Sequence, residues 1–155
     1  MGELRRELDP VAQLGVPAHV TVLFPFMPAD ELTDEVLLSL AGLFRAVPSF
    51  RHSFVRTGWF GEDVLWLASN ADTILRSMTG LVADAFPNYP PYEGEFDDVV
   101  PHLTIGDRGP RDAMRVAEQK VQPHLPIQTI TREVTLLVEQ PSGRWEAAES
   151  FALAD

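Results

Sequence analysis

Two tetrapeptides constrain this chain more than any other feature: His19-Val20-Thr21-Val22 and, 83 residues later, His102-Leu103-Thr104-Ile105. In an extended strand, side chains alternate between faces, so a histidine and a threonine two places apart share one side. The aliphatic residues between them share the other. Each tetrapeptide therefore predicts a strand with one face for a core and one face carrying an imidazole and a hydroxyl. The chain has four histidines and nine threonines among its 155 residues. A given histidine then meets a threonine two places on in about one case in seventeen, and two such hits among four are a roughly 2% coincidence. A lone histidine on an apolar strand is most often a core residue hydrogen-bonded to backbone. A pair in matching strands points instead to a shared cleft.

The segments between the motifs carry ordinary periodic signals. Pro28 and Asp30 mark a helix start, and Val36, Leu37, Leu40, Leu43, Phe44 and Val47 then recur at helical spacing. The stretch SFRHSFVRTGWF predicts a strand bending near Gly58 and Gly61, with DVLWLAS as its hairpin partner. A second helix, capped by Asn70 or Asp72, carries Ile74, Leu75, Met78, Leu81, Val82 and Ala85 on one stripe and stops at Pro87. Residues 88–100, rich in Pro, Gly and acid, predict a long loop. Beyond the second motif come a helix over about residues 111–121, with Pro110 suited to its first turn, and three closing strands, PIQTI, EVTLLVEQ and RWEAAESFALAD.

That order amounts to strand, helix, hairpin, helix, followed by strand, helix and hairpin-like strands. It predicts an α+β fold with two pseudo-symmetric lobes of antiparallel sheet, flanked by helices, around a central cleft. The expectation is one domain over residues 1–155, with partly interleaved lobe halves at about 10–70 and 88–155.

Composition narrows the function. The chain has no cysteine, which excludes disulfides, thiolate metal sites and a cysteine nucleophile. Its net charge is −11, and Lys120 is its single lysine. Long nucleic acids are bound largely by neutralising phosphates, so an acidic chain is poorly suited to extended nucleic-acid binding. The clusters Arg51/Arg56 and Arg108/Arg111/Arg115 read as solvated faces. The N-terminal MGELRRELDP lacks the apolar run of a secretory signal, and Arg6 stands where a myristoylation motif needs Ser or Thr. The expectation is a cytoplasmic monomer without a membrane partner.

HVTV and HLTI resemble the two H-x-T-hydrophobic motifs of the 2H phosphoesterase superfamily, which includes the 2′-5′ RNA ligase-like (LigT-like) proteins and cyclic nucleotide phosphodiesterases. The surrounding GVPAHVTVLFPF, the PHLTIG after a Tyr-containing loop and the later LPI fit the same pattern, and the resemblance runs from about Asp9 onward. It implies two lobes around a cleft and action on 2′,3′-cyclic phosphates or 2′-5′ linkages of a small nucleotide or short oligonucleotide. The residue chemistry agrees. Opening a cyclic phosphodiester needs a base for water and an acid for the leaving oxygen, and His19 and His102 suit both roles near neutral pH. Thr21 and Thr104 suit donation to the phosphate oxygens. The scheme requires no cofactor and no metal; a metal site would need a third ligand that no spacing supplies. Base-stacking and phosphate-contact candidates are Tyr92, Trp59, Phe24 and Arg56, with Tyr89, Phe60 and Phe26 nearby. His52 and His124 lack a threonine two places on and read as packing or surface residues. The alternative is a nucleotide-binding module using the same cleft without turnover.

Overall fold

A hairpin of aromatic and β-branched residues organises the molecule, which a computed structural model describes over residues 2–155. β1 (Phe50–Phe60) and β2 (Val64–Ser69) pair antiparallel, with Trp59 opposite Leu65 and Phe60 opposite Val64. The chain reverses at Gly61, whose φ of +57° favours a residue without Cβ. Gly58, expected near the bend, instead lies inside β1 opposite Trp66. β3 (Leu103–Asp107) pairs with β2, and β4 (Ile127–Thr131) with β1, giving an antiparallel sheet in the order β3-β2-β1-β4. β5 (Glu133–Glu139) and β6 (Trp145–Ala152) form a separate hairpin.

Each expected helix is present, with corrections at its ends. A short 3₁₀ turn occupies Ala29–Glu31, and α3 (Asp34–Arg45) starts later, where Thr33 Oγ1 accepts from Val36 N. α4 (Asp72–Ala85) follows Ala71 without a side-chain cap. Asn70 is diverted to accept from Ser53 N, and Asp72 pairs with Arg76. Leu75, Met78 and Val82 of the α4 stripe are buried, whereas Ile74 and Leu81 are 39% and 37% exposed. Thr79 turns inward because its hydroxyl donates to Val22 O at 2.6 Å. α5 (Arg111–Val121) has the expected bounds, although Pro110 occupies the cap position.

Two helices were not expected. α1 (Gly2–Leu8) and α2 (Pro10–Gln13) precede the first motif, and Leu4 and Leu8 pack into a core with Leu65, Leu67, Leu103, Ile105 and Met114. A second core joins Leu40 and Phe44 of α3, Met78 and Val82 of α4, and Phe151 of β6. Burying each such side chain contributes about 1.5–3 kcal/mol. Both cores draw on the first and second halves of the chain, so neither half closes a lobe by itself.

The first motif also departs from expectation. Residues 18–26 form no ladder; Val20 makes one antiparallel bridge to Leu103 and the rest is irregular. The carbonyls of Val22 and Phe24 are taken by the Thr79 hydroxyl and the Tyr92 amide, and Pro25 has no amide hydrogen to offer a neighbouring strand.

Candidate active site

The single bridge determines the geometry. Val20 and Leu103 face each other across an antiparallel pair, so their side chains project to the same side. That side is the core, where Leu103 is buried and Val20 packs against it. Their neighbours therefore project to the opposite face, with His19 across from Thr104 and Thr21 across from His102. All four side chains are partly exposed.

Both histidines are oriented by the same device. His19 Nδ1 donates to Pro17 O at 2.8 Å, and His102 Nδ1 donates to Val100 O at 2.7 Å. A carbonyl oxygen can only accept, so Nδ1 carries the proton in each ring. Neither Nε2 has a hydrogen-bond partner among the described residues. Each ring thus presents a nitrogen that is a lone pair when neutral and a donor when charged.

An aromatic floor lies beside His102. Trp66 is opposite both Thr104 and Gly58 in the sheet register, which puts all three on the motif face. Its indole stacks on Phe60 with centroids 4.8 Å apart, and Phe60 meets the His102 ring edge-to-face at 4.9 Å. The Arg56 guanidinium sits over the indole, 5.5 Å from its centroid. Burial in this setting lowers the His102 pKa; the Val100 hydrogen bond opposes the shift, and positive charge on His19 adds to it. Neutral His102 is therefore the favoured form near pH 7.

The remaining candidates separate. Arg56 shares the motif face, has no hydrogen bond or ion pair among the described residues, and is exposed. Trp59 points to the other side, where it packs on the first core and lies 5.7 Å from the Arg115 guanidinium. Strand alternation accounts for this, since Arg56, Gly58 and Phe60 share one face and Thr57 and Trp59 the other. Phe24 is 48% exposed and edge-on to Trp145, and its carbonyl accepts from Tyr92 N at 2.6 Å. Tyr92 is half-buried, packs edge-on to Phe96, and has its phenol pKa raised by burial. Tyr89 hydrogen-bonds Glu31. His52 is buried between Phe50 and Phe54 as a packing residue, and His124 is exposed.

Trp66 is absent from the sequence candidates, and Phe60 enters there only as a neighbour of them. Period-two counting from Arg56 would have found Phe60, and hairpin pairing across Gly61 would have found Trp66. Among the described residues no three His, Asp or Glu side chains gather as a metal would require. No helix among them is long and apolar enough to cross a membrane.

Comparison with known proteins identifies the family and the fold. Residues 1–142 match the 2′-5′ RNA ligase superfamily, and the chain belongs to that family of 2H phosphoesterases. The fold is similar to the TT0787 protein of Thermus thermophilus, with a TM-score of 0.60 and 22% identity over 89% of this chain and 80% of that one. It is also similar to Escherichia coli LigT, solved in complex with 3′-AMP, with a TM-score of 0.56 and 17% identity over 100% of this chain and 94% of that one. No curated protein matches the sequence.

Proposed function

We propose that the protein is a metal-independent phosphodiesterase acting on 2′,3′-cyclic phosphates or 2′-5′ linkages of nucleotides or short RNA ends. The observation that carries this reading is the Val20–Leu103 bridge, which gathers two Nδ1-anchored histidines and two threonines on one face. His102, whose pKa is lowered, takes a proton from water through Nε2 as the water oxygen bonds to phosphorus. His19, in its charged form, protonates the sugar oxygen as its bond to phosphorus breaks. Thr21 and Thr104 donate to the non-bridging oxygens, where negative charge grows in the transition state. Arg56 and Phe60 flank the same face as contacts for the rest of the nucleotide. Binding of 3′-AMP by LigT supports a nucleotide ligand here as well. The net charge of −11 favours a small ligand over a long RNA.

The test is a panel of cyclic phosphates and 2′-5′ dinucleotides followed by phosphorus NMR, with and without exhaustive chelation. Turnover should survive chelation, and His19→Ala or His102→Ala should each lower it about 10²–10⁴-fold. Near-wild-type turnover in either variant, or activity lost to chelator and restored by a divalent ion, refutes the scheme. Tight nucleotide binding with no turnover of any substrate would favour a binding module.

A further inference from the structure

Arg5 is 3% exposed, and its donors reach three separate parts of the molecule. Nη2 donates to Asp9 Oδ2 at 2.6 Å, one turn further along. Nη1 donates to Val16 O at 3.2 Å, and Nε donates to Thr104 O at 3.1 Å. Asp9, itself 2% exposed, also accepts from Val11 N through Oδ1. A buried ion pair is costly to desolvate and is often matched in stability by apolar residues of similar size. Its presence here calls for another reason.

The two carbonyls supply one. Thr104 belongs to the second motif. Val16 is bonded to Pro17, whose carbonyl holds His19 Nδ1–H in the first. Backbone pairing joins the motif segments only at Val20–Leu103, so the segment before His19 has no ladder to hold it against β3. A planar guanidinium with fixed donor directions sets two carbonyls relative to each other more rigidly than a freely rotating ammonium does. The His102 ring is anchored separately, through Val100 O, on a segment that the β2–β3 ladder already holds.

We propose that Arg5, fixed by Asp9, is a positioning residue: from the core side it ties the Val16–Pro17 segment to Thr104 and so places His19 against the second motif. This rests on the acid/base reading above. Arg5→Lys keeps the charge beside Asp9 and removes the fork. In the folded variant, kcat should fall about 10–100-fold while KM changes no more than about threefold. The ¹⁵N signals of His19 should lose their single Nδ1–H tautomer, while those of His102 stay as in the wild type. Wild-type kcat and His19 signals in folded Arg5→Lys overturn the proposal, as does an equal disturbance of both histidines, which would mean general loosening. Asp9→Asn has one amide oxygen for the two donors that Asp9 accepts from, Arg5 Nη2 and Val11 N, so it loosens the anchor of Arg5 and serves if Arg5→Lys fails to fold; unchanged His19 signals and kcat there overturn the proposal equally. If the wild type cleaves no phosphodiester, the functional reading fails and the His19 signals still decide the positioning role.

Discussion

Gly58→Ala should damage the site through the aromatic wall beside His102 rather than by removing a proposed reacting group. A methyl carbon built on Gly58 would lie 2.5 Å from Trp66 Cζ2, 2.7 Å from Cη2 and 2.8 Å from Cε2. Ordinary carbon contacts are about 3.5–4.0 Å, so the indole must shift by about 1 Å. It has little room, because Trp66 is 6% exposed, stacked on Phe60 and covered by Arg56. Overpacking of this kind costs about 1–3 kcal/mol. Replacing glycine by alanine within a strand returns about 0.5–1 kcal/mol, leaving a net loss of about 0–2.5 kcal/mol. For a chain of this length each kcal/mol lowers Tm by about 2–4 °C. The larger effect falls on His102, whose ring neighbours both Phe60 and Trp66. A 1 Å displacement can cost about 10²-fold in rate, so turnover of a 2′,3′-cyclic nucleotide should drop 10-fold or more while the protein stays folded. Trp66→Phe removes Cζ2 and Cη2, so the double variant should recover part of the loss. Circular dichroism melting and steady-state turnover read both effects. A Gly58→Ala protein with wild-type Tm and turnover would refute the reasoning.

Phe60→Ala should admit water to His102 and relax its lowered pKa upward toward 6.5, moving the acid limb of the pH–rate profile to higher pH; an unmoved limb contradicts the proposed environment. His52 offers a stability test, since it bonds Ser69 Oγ and Thr131 Oγ1 and burial lowers its pKa. The unfolded chain takes up its proton near pH 6.5 while the folded chain resists, so stability is whole above that pH and declines as pH falls toward the folded pKa. His102 shifts the same way, so His52→Gln should flatten only part of the slope between pH 5 and 7 in denaturant titrations; an identical slope sinks the assignment.

Much of the local structure was legible because periodicity is a local property. Strand-forming runs at residues 50–60 and 64–69 on either side of a glycine turn specified the hairpin, and the apolar stripes of α3 and α4 specified which helix faces pack. The two His-x-Thr repeats marked the four polar residues of the candidate site, since spacing alone puts each histidine and threonine on one side of its strand. Trp59 stands with Arg56 among the sequence candidates although alternation alone sends them to opposite faces, and the contact of Trp59 with α5 shows the consequence. What spacing could not convey was partnership between distant segments.

The first motif was expected to be a regular strand because its apolar pattern is strand-like. Its carbonyls instead went to Thr79 and Tyr92, which lie 57 and 68 residues further on than their acceptors. Nothing in the local sequence singles out Arg5; the packing of α1 on β3 brings its guanidinium to a carbonyl 99 residues away. The sequence by itself determined most of the elements, the faces they bury and the side-chain types that the two motifs present, since these depend on side-chain type and spacing. Only the tertiary structure decided that Val20 lies against Leu103, that Trp66 and Phe60 wall His102, and that Arg5 ties the motifs together. Such neighbours are chosen by burying apolar surface and satisfying backbone groups over the whole chain at once, and no local window carries that information.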